Sequence, residues 1–194
     1  MLTSVCVFCG SSVGANPAYR TAAQELGTAI ARTGRRLVFG GGHVGLMGAL
    51  ADAALSVGGE VIGVIPQHLV DREVAHLNLT DLRIVPSMHE RKALMSELSD
   101  GFVVLPGGIG TLEEFFEIWT WGQLGLHAKP YGLLNVESYF SPLLTFLDHA
   151  IEQRFIRREH REMLVVDTDA RRLLARLDEH RSPMVAKWMD LETS

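Results

Sequence analysis

Cysteine, lysine and excess positive charge are all scarce in this chain. Only Cys6 and Cys9 occur among 194 residues. They form a lone CxxC, a spacing compatible with a redox pair or half of a zinc site. No second Cys or His cluster completes a metal shell, and none of the eight histidines falls in an HxH or HExxH pattern. Inside a strand, residues three apart point to opposite faces, which separates the two thiols. The sequence therefore predicts no structural metal, no disulfide and no cofactor. The net charge of -5 lacks the basic excess of a nucleic-acid binder. No run of about 18 apolar residues offers a membrane span. Met1 to Cys9 carries neither a basic n-region nor a small-residue cleavage site, so the expectation is a cytoplasmic protein without a secretory signal. Repeats and low-complexity stretches are also missing.

What remains is an apolar-rich chain, 47% hydrophobic, long enough for one domain and too short for two of ordinary size. Short β-branched runs alternate with segments of helical period, predicting a single Rossmann-like α/β domain over residues 1–194, a three-layer fold with a parallel sheet flanked by helices. The strand candidates are Val5 to Phe8, Arg36 to Phe39, Val61 to Ile65, Arg83 to Val85, Phe102 to Leu105 and Tyr131 to Leu134, with a short one near Met163 to Val166. The first helix is bounded by Asn16 as cap, Pro17 at its first position and Gly34 as stop. A second runs from about Leu46 to Val57, and a third starts at Ser87, which forms a capping box with Glu90. Thr111 and Glu114 fit the same box on a fourth helix. Later helices are expected over Tyr139 to Gln153 and Asp169 to His180. Gln67 to Asp81 reads as a long irregular connection of the kind that often carries function. Residues 182–194 form a tail in which Trp188 suggests docking.

Two glycine-rich turns stand out. Pro106 Gly107 Gly108 Ile109 Gly110 Thr111 Leu112 Glu113 Glu114 joins a strand to a helix start. Such a turn offers free N–H groups and the positive end of the helix dipole to an anion, with two carboxylates in the expected first turn. The other turn, Gly40 Gly41 Gly42 His43 Val44 Gly45 Leu46 Met47 Gly48, formally contains GxGxxG. A dinucleotide site also requires an acid at the end of the next strand. That strand ends Ile65 Pro66 Gln67, and Glu60 stands at its start. No GK[ST] follows either turn, which removes the Walker reading. Each glycine can equally serve tight turns or close packing. Two such turns in one small sheet nevertheless fit one nucleoside monophosphate held from two sides, with Gly41, Gly42 and Gly45 in contact. Adjacent Arg91 and Lys92, just after another strand, suit a phosphate or ribose, or else a solvated basic face.

Together these segments resemble the LONELY GUY family, cytokinin riboside 5'-monophosphate phosphoribohydrolases, some of which were once labelled lysine decarboxylases. The family motif PGGxGTxxE is complete in Pro106 Gly107 Gly108, Gly110 Thr111 and Glu114, with its Arg–Lys pair at Arg91 and Lys92. The likeness runs from Val5 Cys6 Val7 Phe8 Cys9 Gly10 Ser11 Ser12 to Trp119 Thr120 Trp121 Gly122 Gln123 Leu124 Gly125, covering roughly residues 4 to 180. It implies hydrolysis of the N-glycosidic bond of a cytokinin riboside 5'-monophosphate, or AMP, to free base and ribose 5-phosphate. It implies Arg91 and Glu114 as the catalytic pair, and Glu73, Lys92, Gly107, Gly108, Ile109, Gly110, Thr111, Leu112, Glu113 and Thr120 as substrate contacts. It also implies a homodimer, in keeping with the aromatic residues Phe115, Phe116, Trp119 and Trp121 on more than one side of the fourth helix.

Departure of a purine builds positive charge on the ribose, which a nearby carboxylate stabilises while it positions water. Glu114 is the residue expected there, with Arg91 as an electrostatic and hydrogen-bonding group, since arginine stays protonated. The competing reading of Glu114 is its helix's own cap. The competing function is a nucleotide or molybdenum-cofactor carrier, which shares such loops but has no need of the Arg91 and Glu114 pair. Decarboxylation through pyridoxal needs a Schiff-base lysine, for which Lys92, Lys129 and Lys187 are the choices.

Overall fold

In a computed structural model, which describes residues 1–72 and 74–180, seven parallel strands form one sheet in the order β4-β3-β2-β1-β5-β6-β7. The strands are β1 (Ser4–Phe8), β2 (Arg36–Phe39), β3 (Val61–Pro66), β4 (Asp81–Val85), β5 (Gly101–Val104), β6 (Tyr131–Leu134) and β7 (Leu164–Asp167). The helices are α1 (Pro17–Arg32), α2 (Gly45–Ser56), a single turn α3 (Gln67–Val70), α4 (Met88–Glu97), α5 (Ile109–Gln123), α6 (Ser141–Glu152), α7 (Arg158–Glu162) and α8 (Ala170–Glu179). Every expected strand forms. The Gln67–Asp81 connection contains α3, and α7 was not anticipated, because both are too short to show a period.

The central strands are covered on both faces, which is why they read as continuous apolar runs. Side-chain alternation divides the core into two. Val5, Val7, Cys9, Leu37 and Phe39 pack with Leu26, Ile30, Leu50 and Leu173 on the face of α1, α2 and α8. Cys6, Phe8, Val38, Phe102 and Val104 pack with Met95, Phe115, Ile118 and Leu147 on the face of α4, α5 and α6. Cys6 and Cys9 are free and lie in different halves of that core.

Local signals set the helix ends. Asn16 Oδ1 accepts from Ala18 N at 2.9 Å, and Ser87 Oγ accepts from Glu90 N and donates to Glu90 Oε1, each at 3.1 Å, joining the two residues of the capping box read from the sequence. The second box does not form. The N-cap of α5 is Gly108, with no side-chain cap, so Thr111 lies inside the helix and Glu113 and Glu114 occupy its second turn. The chain leads outward from β1 through β2 and β3 to β4, then returns to lay β5 beside β1. The sheet order thus reverses between β1 and β5, and ligands of open parallel sheets bind at the carboxyl ends of the strands at such a point.

Candidate active site

At this reversal Gly10 N, just past β1, donates to Pro106 O at 3.1 Å, and Leu105 N donates to Phe8 O at 2.9 Å. The two loops are thereby fixed side by side. Gly45, which opens α2, lies against them, and a Cβ there would fall 2.2 Å from the Ser11 carbonyl carbon. Its φ of +62° is one that residues with a side chain rarely adopt, so both space and backbone demand glycine. The cleft enclosed here holds about 320 Å³, with Cys9, Ser11, Gly40, Met47, Leu69, Met88, Arg91, Gly108, Ile109, Gly110, Thr111, Glu113 and Glu114 among its walls.

Arg91 and Glu114 meet on one side of it. Arg91 Nη1 donates to Glu114 Oε1 at 3.0 Å, and each side chain is only 10% exposed. Arg91 Nε donates to Val64 O at 3.1 Å and Nη2 to Gly40 O at 3.2 Å. The guanidinium fork is thus fixed by three elements. Burial pushes the Glu114 carboxyl above the ordinary glutamate range, and the Arg91 charge opposes that shift. A raised pKa makes the carboxylate a stronger base toward water. The cap reading of Glu114 fails on position, since the side chain lies a turn beyond the helix start and is bound to Arg91.

The uncapped start of α5 supplies the other side. Among the described residues, no acceptor takes the N–H groups of Gly108, Ile109, Gly110 or Thr111, and Leu112 N is the first to bond, to Gly108 O at 3.1 Å. No atom of the described residues lies within 4 Å of a Cβ built on Gly108 or Gly110. Free donors, open space and the positive helix end together form an anion cradle.

Other expected contacts fall elsewhere. The Lys92 ammonium is held by Glu113 and by Glu117, the latter at 3.0 Å, and does not line the cleft. Partial burial works against that charge, but the two carboxylates outweigh it and raise the Lys92 pKa. Glu117 carried no signal in the sequence, because its role depends on packing α4 against α5. Gly107 and Leu112 lie behind the cradle, with Leu112 packed on the core. Thr120 Oγ1 donates to Phe116 O at 2.7 Å on the exposed side of α5. Gly41 and Gly42 meet the chain after α3: His76 N donates to Gly41 O at 2.8 Å, and Gly42 pairs with Ala75. Glu73 lies outside the described residues, as do Trp188 and the tail. Met47, Leu69 and Met88 add apolar walls that no motif announced. The Cys9 thiol, its pKa raised by burial and then by Glu114, stays neutral and walls the cleft without acting as a nucleophile. Glu60 pairs with Arg36 at 2.8 Å just before β3, at the end of the sheet away from the cleft, which removes the acid a dinucleotide site requires.

The chain is similar to known proteins. A family model described as possible lysine decarboxylase matches residues 47–177. A probable cytokinin riboside 5'-monophosphate phosphoribohydrolase, LOGL9 of Oryza sativa subsp. japonica, is 52% identical over 91% of this chain and 78% of its own length. The cytokinin riboside 5'-monophosphate phosphoribohydrolase of Rhodococcoides fascians is 50% identical over 93% of this chain and 90% of its own. LOG1 of Arabidopsis thaliana, of the same name, is 47% identical over 91% and 83%. Among solved structures, the molybdenum cofactor binding protein of Rippkaea orientalis superposes with a TM-score of 0.69 at 21% identity, covering 92% of this chain and 96% of that one. The Moco carrier protein of Chlamydomonas reinhardtii gives 0.68 at 21%, covering 92% and 97%. At that identity these two show a shared fold and no more. The family model and the half-identical relatives coincide with a PGGxGTxxE turn that opens an uncapped helix, and the chain belongs to the LONELY GUY (LOG) family.

Proposed function

We propose that this chain hydrolyses the N-glycosidic bond of cytokinin riboside 5'-monophosphates and of AMP, releasing the base and ribose 5-phosphate. The observation that carries the reading is the juxtaposition, in one cleft, of the buried Arg91–Glu114 pair with the free N–H groups from Gly108 to Thr111. The cradle takes the phosphate. The C1'–N bond of the ribose then breaks beside Glu114, whose carboxylate stabilises the positive charge developing on the sugar and accepts a proton from the water that attacks C1', while the base leaves with the bonding pair and takes up a proton from solvent, so that the net reaction adds one water across the bond. Arg91 holds that carboxylate in place and favours its ionised form. The relatives' names favour this reaction over the carrier alternative. The decarboxylase description finds little support in the site: among the described residues no lysine lines the cleft, and Lys129 Nζ donates to Ser96 O at 2.7 Å.

The reading includes a homodimer. Its support is the exposed apolar set on α5 and the turn after it, with Phe116 37%, Leu124 52% and Leu126 69% exposed.

The test incubates purified protein with AMP and with isopentenyladenosine monophosphate and measures free base. Release by the wild type, lost in Glu114→Ala and Arg91→Ala variants that stay folded, is the expected result. Tight nucleotide binding without base release would favour a carrier.

A further inference from the structure

We infer that Tyr139 is a positioning residue for the anion cradle, fixing the peptide between Gly107 and Gly108 so that the Gly108 N–H faces the bound phosphate. This rests on the phosphoribohydrolase reading for the identity of the anion. Tyr139 lies outside the glycine turns, in the segment between β6 and α6, and its hydroxyl donates to Gly107 O at 2.6 Å. In a trans peptide the carbonyl and the following N–H point in opposite directions. With Gly107 O turned outward to Tyr139, the Gly108 N–H turns toward the cleft that Gly108 lines, where it has no partner among the described residues. A carbonyl that accepts a hydrogen bond also polarises its own peptide, which strengthens the opposite N–H as a donor.

The chain around Tyr139 is built to hold it. Glu137 and Ser138, immediately before it, have φ of 49° and 58°, an unfavourable conformation for residues with side chains that persists only where the surroundings impose it. Asn135 ties the start of this turn to its end: its Oδ1 accepts from Phe140 N at 2.7 Å and its Nδ2 donates to Ser141 Oγ at 3.2 Å. The Tyr139 ring is wedged between Tyr19 and Phe140, at centroid distances of 5.7 and 5.0 Å with both pairs edge-on. Those contacts need the ring alone. The hydroxyl is left for Gly107, so Tyr139→Phe removes one hydrogen bond and keeps the packing.

The experiment compares wild type and Tyr139→Phe in base release from AMP and from adenosine, which lacks the phosphate, with thermal melting of both proteins. The expected result is a KM for AMP raised about fivefold or more, with kcat within about twofold, adenosine kinetics unchanged and the melting temperature preserved. Parallel changes for AMP and adenosine, or no change for either, would overturn the inference. Calorimetric titration with ribose 5-phosphate tests it without turnover. Weaker binding by Tyr139→Phe supports it, and equal binding overturns it, even if the wild type releases no base and the phosphoribohydrolase reading itself fails.

Discussion

Gly40 and Arg91 compete for one volume: a Cβ at position 40 would lie 1.8 Å from Arg91 Nη2. The glycine is therefore part of the arginine's site, and what the Gly40 turn contributes there is the space it leaves for the guanidinium. Gly40→Ala is expected to dislodge the guanidinium, lower base release nearly as far as Arg91→Ala does, and destabilise the fold by about 1–3 kcal/mol through overpacking. Steady-state assay and urea unfolding of the two variants check this.

The buried pair should behave as a unit. Removing one member leaves the other desolvated without its counter-charge, so Arg91→Met and Glu114→Leu are each expected to cost about 3–5 kcal/mol. The double variant, with no charge left to bury, should recover most of that loss while remaining inactive. A double-mutant cycle by chemical denaturation supplies the coupling, and additive single losses would show that the two groups do not interact.

The pH dependence follows from the direction of the Glu114 shift. A carboxyl whose pKa is higher in the native state binds more protons there. Its contribution to stability is full below the unfolded value of about 4.3 and declines as the pH rises through the native one. Burial raises Glu114 and Arg91 opposes, so a carbon-13 carboxyl titration should place Glu114 above the ordinary glutamate range and higher still in Arg91→Met. The acid limb of kcat/KM should coincide with the wild-type value.

Asp167 supplies the opposite sign. Hydrogen bonds from Arg172 and Arg176 and from the N–H groups of Thr168 and Asp169 hold its carboxyl well below the usual range. Its contribution is present above the unfolded value and is lost as the pH falls. Asp167→Asn is expected to lower Tm by several degrees at pH 7 and by less in acid, with base release unchanged.

The bare N-cap at Gly108 implies a trade between stability and binding. Its φ of −89° is open to any residue, and no atom of the described residues lies within 4 Å of a Cβ there. Gly108→Asp or Gly108→Ser is expected to leave the helix as stable or a few tenths of a kcal/mol more so. The new side chain would meanwhile occupy N–H groups that the cradle requires, raising KM for AMP about tenfold or more. Unchanged KM in both variants would remove the cradle from the site.

Much of this arrangement was legible in the residues. Strand positions followed from apolar runs, because strands buried on both faces leave little else to be read. The helix starts at Asn16 and Ser87 followed from side chains that cap locally. The assignment of Thr111 and Glu114 to a capping box went astray because the same spacing arises when a glutamate one turn further on faces a buried arginine. Arg91 and Glu114 were legible as a motif, yet their mutual hydrogen bond depends on α4 and α5 packing on one face of the sheet. The role of Glu117 comes wholly from that packing, and the apolar walls at Met47, Leu69 and Met88 come from α2, α3 and α4 meeting at the cleft, which no local pattern encodes.

The pairing of β1 with β5 has a kinetic consequence. Phe8 and Leu105, whose main chains bond beside the cleft, are separated by most of the first half of the molecule. A nascent chain that ends before β5 already carries Gly40 and Arg91 but neither Glu114 nor the free N–H groups of α5. Closing so long a loop is slow relative to forming the local βαβ units around it. Competence to bind and cleave is thus expected to emerge late and all at once, on completion of the middle of the sheet, rather than to build up in step with secondary structure.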